Sequence, residues 1–136
     1  MILGIGSDLV DIRRIEKVMG RFEQRFIDRC FTDIERKKAE ARRPGGTHMA
    51  TYAKRFAAKE AMAKAMGAGF SGGILMKEIG VVTAKNGAPS LKLSGRALEH
   101  LNEITPKGHE AVIHLSLCDE PPLAKADVII ETRPKD

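Results

Sequence analysis

The stretch that most constrains the fold is Thr51 to Gly69, TYAKRFAAKEAMAKAMGAG. Rich in Ala and Met, with Lys and Glu as good helix formers, it predicts one helix that begins near Thr47 or His48. Residues three or four apart share a helix face, which pairs Arg55 with Lys59 and Glu60 with Lys64. An ordinary surface helix keeps its charges opposite its apolar stripe. Here Arg55 and Lys59 fall on the arc of Tyr52, Phe56, Ala63 and Met66, while Glu60 and Lys64 lie beside Gly67 at its edge. A charge set among apolar side chains needs a partner, because burying it alone is costly. Two readings fit the spacing: long stems snorkelling to water from an amphipathic helix, or a site for something charged.

Upstream, ILGIGSDLVD at residues 2–11 reads as a strand, with Gly4 and Gly6 admitting a close neighbour. Asp8 is an isolated acid in that apolar element, either a cap or a ligand for something positive. Ile12, Ile15, Val18 and Met19 have helical period, and Gly20 is expected to stop that helix. A second short helix is expected from Phe22 to Cys30, with Arg21, Arg25 and Arg29 as a basic row. Thr32-Asp-Ile-Glu35 is a capping-box pattern opening a third helix, running to about Arg43 and ended by Pro44-Gly45-Gly46.

Downstream, Gly67 to Gly72 spells G-x-G-x-x-G but follows a helix instead of a strand, so it is not a dinucleotide fingerprint. As a flexible loop it could still bring backbone amides near a phosphate. Residues 77–94 read as a hairpin about Asn86-Gly87, and 95–104 as a helix. Two strands, Ala111–Cys118 and Lys125–Glu131, join through Pro121-Pro122, and Thr132 to Asp136 is expected to be a loose tail. Strands at both ends with helices grouped between them indicate a single α+β domain over residues 1–136.

Charge is unevenly spread: residues 21–64 hold 12 Lys and Arg against 6 Asp and Glu, whereas the flanking stretches nearly balance. A localised positive field attracts an anion, whether nucleic acid, phosphorylated cofactor or acidic protein. With aromatics at 4% and no Trp, a base-stacking platform for single strands is disfavoured. No apolar run approaches the roughly 20 residues of a membrane span, and the N-terminus lacks the basic flank of a signal peptide. Cys30 and Cys118 match no metal spacing and are expected to be reduced, in a cytoplasmic protein.

Asp8 and Glu60, if they meet in space, could hold one Mg²⁺, a hard cation that keeps waters and phosphate oxygens as its other ligands. Lys64 and Arg55 could then neutralise further phosphate charge, a combination suited to phosphoryl-type transfer. His48, His100, His109 and His114 do not form a metal spacing, and His114 is expected to be packed in the core. A basic nucleic-acid-binding module would explain the charge excess but not the two acids.

The segments GIGSDLVDIRRIE, RFAAKEAMAKAMGAG, NGAP and HLSLCDE…ADVIIE, in that order from Ile2 to Glu131, resemble the holo-[acyl-carrier-protein] synthase family of group I 4′-phosphopantetheinyl transferases. The resemblance implies a 4′-phosphopantetheinyl transferase-like α+β fold, typically a homotrimer with sites between protomers. It implies transfer of 4′-phosphopantetheine from coenzyme A to a serine of apo acyl carrier protein, releasing adenosine 3′,5′-bisphosphate, in fatty acid biosynthesis. By position, Asp8 and Glu60 would hold Mg²⁺ and Lys64 would meet the pyrophosphate. Arg55 and Lys59 would belong to the coenzyme-facing motif, and Gly67 and Gly69 would sit beside the nucleotide. Arg14 and Arg25 would meet the acidic carrier helix. The resemblance leaves open whether Glu60 or a water on the metal takes the serine proton. Where some members have a His after the penultimate strand, this chain has Asp119.

Overall fold

A computed structural model describes all residues, Met1–Asp136. The chain opens with β1 (Ile2–Asp11), α1 (Ile12–Cys30), α2 (Asp33–Glu40) and α3 (His48–Ala65). A single 3-10 turn (Met76–Glu78) leads into β2 (Ile79–Thr83) and β3 (Pro89–Leu93), then α4 (Gly95–Ile104), β4 (His109–Glu120) and β5 (Leu123–Pro134). Three strands form an antiparallel sheet in the order β1-β5-β4, and β2 with β3 forms a separate hairpin. The α+β expectation holds, with the helices grouped between the N-terminal strand and the antiparallel C-terminal pair.

α3 lies across the inner face of the sheet, and its burial explains the order of the whole. Tyr52, Ala53, Ala57, Ala58, Ala61 and Met62 have no exposed surface, and they share one core with Val128 and Ile130 of β5. Along β5 every second residue from Ala124 to Thr132 is buried, the period of a strand with one face on the core. The approach of α3 to β1 is so close that a Cβ at Gly4 would strike the Ala65 carbonyl, and one at Gly6 the Ala61 carbonyl. That is the physical use of the two glycines.

Four local expectations change. Gly20 itself keeps helical geometry and the break falls two residues later: α1 (Ile12–Cys30) is two helical stretches joined at a kink at Phe22 (φ −139°, ψ 37°), so the two expected helices are present with their boundary shifted. The glycine sits in open space, and Met19 before the kink and Ile27 after it are both buried, so both stretches pack on the core. α2 ends at Glu40, with turns filling 41–46 and Gly46 at positive φ (77°). The tail is anchored, because β5 extends to Pro134, Thr132 is buried, and the Lys135 amide donates to the Gly108 carbonyl (2.8 Å). His114 points outward from β4 and is paired with Glu131 (2.9 Å), because the inward positions of that strand fall on Ile113, Leu115 and Leu117.

Other signals read as expected. Thr32 and Glu35 form the full capping box of α2. Gly87 (φ 86°) turns the β2–β3 hairpin, with the Asn86 side chain accepting from the Ala88 amide (3.0 Å).

Candidate functional site

The alternation of β1 places Gly6, Asp8 and Val10 on one face, toward α3. Gly6 lets the helix settle on the strand, and Asp8, two residues on, meets the helix edge that carries Glu60 and Lys64. Lys64 Nζ lies 3.0 Å from Asp8 Oδ1 and donates also to the Ser7 carbonyl (3.0 Å). Glu60 stands one turn earlier on that edge. Its carboxyl is pushed above the usual carboxylate range, chiefly by burial and then by the negative charge of Asp8, with Lys64 and Arg14 pulling it back. The structure therefore gathers Asp8, Glu60, Lys64 and Arg14 into one electrostatic cluster, drawn from β1, α1 and α3.

Two carboxylates near each other in a half-buried setting, one of them reluctant to ionise, form a donor set that a hard dication suits. Mg²⁺ takes one or two carboxylates and leaves its remaining positions to water and phosphate oxygens. No third His, Cys, Asp or Glu joins the pair to complete a protein-only cage. The residues fit that ion.

A second locus lies toward the start of α3. Arg55 is 8% exposed, and its Nε is buried without a hydrogen-bond partner, as is Nδ1 of His48. Arg42 reaches the hydroxyl of Thr51 (3.5 Å), and Arg55 reaches the Thr51 carbonyl (3.4 Å). Burial pushes the Arg55 guanidinium below the usual arginine range, Glu35 opposes the shift and the charge of Arg42 adds to it. Unpaired buried polar groups are costly, and two guanidiniums sharing Thr51 suit an anion such as a phosphate group. Sequence reasoning missed Arg42 and His48. Arg42 lies outside the helical pattern, and the fold of the 41–46 turns brings it to Thr51; His48 opens α3 and carries no spacing signal.

Lys59 is a correction. It is fully buried and ion-paired to Glu35 (2.8 Å), and it donates also to the carbonyls of Met76 (3.1 Å) and Ile79 (2.7 Å). No surface of it is left for a coenzyme. Helical geometry explains the outcome: Lys59 is about 100° round the axis from Glu60, which turns it toward α2 and β2. Gly67 (φ 77°) and Gly69 (φ 59°) follow directly on α3. Their amides donate to the Lys64 (3.0 Å) and Ala63 (3.3 Å) carbonyls, so both close the C-terminus of α3 and neither amide is free for a phosphate. A further pair that was not foreseen, Lys54 with Asp119 (2.9 Å), ties the end of β4 to α3.

Arg14 is exposed on α1. Arg25 lines an open groove of about 680 Å³ on the same helix, with Val18, Phe22, Phe26, Asp28 and Arg29. Arg21 and Arg25 flank the Phe22 ring at 5.7 and 6.0 Å, giving an apolar floor with a basic rim.

Residues 4–118 match the model of the 4′-phosphopantetheinyl transferase superfamily. A holo-[acyl-carrier-protein] synthase of Parvibaculum lavamentivorans is 53% identical over 135 residues, covering 99% of both chains. The crystal structure of the holo-[acyl-carrier-protein] synthase of Neisseria meningitidis superposes with a TM-score of 0.77 at 36% identity, over 96% of this chain and 99% of that one. The corresponding protein of Bacillus anthracis, in complex with coenzyme A (3′,5′-ADP), gives a TM-score of 0.74 at 32% identity, over 96% of each.

Proposed function

The chain belongs to the 4′-phosphopantetheinyl transferase superfamily, and from that membership we propose that Asp8, Glu60 and Lys64 form its phosphoryl-transfer site. The enzyme moves 4′-phosphopantetheine from coenzyme A to apo acyl carrier protein, the activity carried by relatives that match nearly its whole length. The observation that carries the residue assignment is the meeting of Asp8 on β1 with the edge of α3 that bears Glu60 and Lys64, where Lys64 Nζ lies 3.0 Å from Asp8 Oδ1.

Asp8 and Glu60 would hold Mg²⁺, which supplies charge stabilisation to the phosphate oxygens at which negative charge develops. Lys64 is half-exposed, so its ammonium can swing between Asp8 and the pyrophosphate and offset charge on the leaving adenosine 3′,5′-bisphosphate. Arg55, with Arg42, offers paired donors to a further phosphate of the coenzyme. Either Glu60 or a water held beside Asp8 would accept the carrier serine proton.

The groove at Phe22 and Arg25, with Arg14 nearby on α1, receives the acidic carrier helix: arginines pair its carboxylates and the phenylalanines take its apolar side. On the outer sheet face Ile5 lies directly opposite Ile129, and with Leu9 they are exposed at 70%, 37% and 58%. That apolar patch is the contact through which the chain assembles as a homotrimer. We place the enzyme in the cytoplasm, serving fatty acid biosynthesis.

The deciding experiment mixes the protein, coenzyme A, Mg²⁺ and apo carrier protein and weighs the carrier by mass spectrometry. The carrier gains the mass of phosphopantetheine with the native chain and not with Glu60→Ala. A Glu60→Ala protein that still transfers at the native rate would refute the site.

A further inference from the structure

Beside the site, and used by none of the chemistry above, lies the buried pair of Lys59 and Glu35. Every polar atom of it is engaged. Lys59 Nζ spends its three protons on Glu35 Oε1 and on the carbonyls of Met76 and Ile79. Glu35 Oε1 also accepts from the Thr32 amide (2.8 Å), and Oε2 from the Val81 amide (2.8 Å). The Lys59 ammonium lies 5.6 Å from the centroid of the buried Phe31 ring. One network thus joins the start of α2, the middle of α3, the 3-10 turn and β2.

Stability alone does not call for such a pair, since well-packed apolar residues of similar volume commonly hold a core as well or better. What apolar contacts supply poorly is direction. The wall of α3 that faces β1 is smooth: Gly4 and Gly6 lie against the backbone of Ala65 and Ala61, with Ala57 and Ala58 also buried on the helix. Without interlocking side chains, that surface limits rotation and sliding of the helix only weakly. By way of Glu60, Ala61 is about 200° round the axis from Lys59, with Glu60 midway at about 100° from each. The clamp therefore grips α3 on the side away from the smooth wall and next to the catalytic edge.

We propose that Lys59, held by Glu35, is a positioning residue that fixes the rotation and register of α3 and thereby the placement of Glu60 against Asp8. This rests on the reading of Glu60 as half of the metal pair. A side-chain tip rides at roughly 5–6 Å from a helix axis, so a turn of about 10° carries it about 1 Å. A displacement of that size is enough to cost about 100-fold in rate.

The test is the double variant Lys59→Met/Glu35→Leu, which replaces the clamp by apolar side chains and leaves no lone buried charge. Expected are a melting temperature at or above that of the native chain, Mn²⁺ affinity of the isolated protein lower by about 10–100-fold, and a comparable fall in kcat. A folded double variant with native Mn²⁺ affinity and native kcat overturns the proposal. Lys59→Gln, which keeps amide protons for the two carbonyls, is measured in the cold as a second variant. A folded protein with weakened Mn²⁺ binding supports the role, and native binding overturns it. Glu60→Gln run alongside separates the two failures. Native Mn²⁺ affinity in Glu60→Gln refutes the metal pair itself. Loss there, with none in the Lys59 variants, refutes only the positioning role.

Discussion

Gly6→Ala tests the link between packing and chemistry most directly. A Cβ on Gly6 would collide with the carbonyl oxygen of Ala61, with the Ala65 amide nitrogen at 2.8 Å and the Ala61 carbonyl carbon at 2.9 Å. Carbon atoms in unstrained contact sit about 3.5–4.0 Å from their neighbours, so β1 and α3 must part by on the order of 1 Å. The obstructing atoms are helix backbone and cannot swing aside as a side chain would. Overpacking of this kind costs about 1–3 kcal/mol and occasionally more, and the upper end applies here. For a chain of this size that is a fall in Tm of about 10 °C. Because Asp8 sits on the strand and Glu60 on the helix, the same separation spreads the two carboxylates and costs about 100-fold in transfer rate. Scanning calorimetry reads the first effect, and mass analysis of the carrier, at a temperature where the variant is folded, reads the second. A variant that melts within about 2 °C of the native chain and transfers at its rate would show that the helix does not rest on the strand as described.

Three further outcomes follow from single features. Gly20→Ala adds a methyl inside α1 where no atom lies within 4 Å, so it should stabilise by about 0.5–1 kcal/mol in urea denaturation; destabilisation would show that α1 breaks there. The Glu40 carboxyl is held at about 2 by hydrogen bonds from Arg43 and Tyr52, against an ordinary 4.5. Its contribution, on the order of 1 kcal/mol after solvent screening, is present above pH 4.5 and lost as pH falls toward 2. Glu40→Gln should therefore flatten the acid limb of a stability–pH curve, and an unchanged limb would exclude the effect. Arg25→Glu should raise the apparent KM for carrier protein several-fold while leaving that for coenzyme A unchanged, and equal effects on both would remove the groove from carrier docking.

What the sequence shows clearly is what short-range physics controls. The capping box at Thr32, the Asn86-Gly87 hairpin and the strand at Ile2–Asp11 are each encoded within a few residues, and each forms as read. Gly20 marks the helix break only approximately, because a helix-stopping residue is a local preference and the chain kinks at Phe22 instead. With Ile15 and Met19 before the kink and Ile27 after it all buried, packing holds both stretches on the core. Histidine's general burial preference misleads at His114 because it ignores the alternation: Ile113, Leu115 and Leu117 take the inner face, which leaves the imidazole outside. Asp8 and Glu60 could be paired by type and context, but their meeting depends on Gly6 admitting α3 to the strand.

Lys59 and Lys64 show where that legibility ends. Both are lysines on one helix within five positions, and both flank Glu60. Their fates differ because of partners remote in sequence: Glu35 lies 24 positions before Lys59, and Asp8 lies 56 before Lys64. The first partner sits in the core, where an ammonium is tolerated only with all its protons bonded. The second sits at the rim, where Lys64 keeps half its surface in water and remains free to change partners. A buried lysine is thereby committed to holding the helix, and an exposed one to following the charge. The two roles require each other. A lysine that must swing between a carboxylate and a phosphate is useful only if the helix beneath it does not move, and the alanine wall that α3 lays on the glycines of β1 resists rotation only weakly.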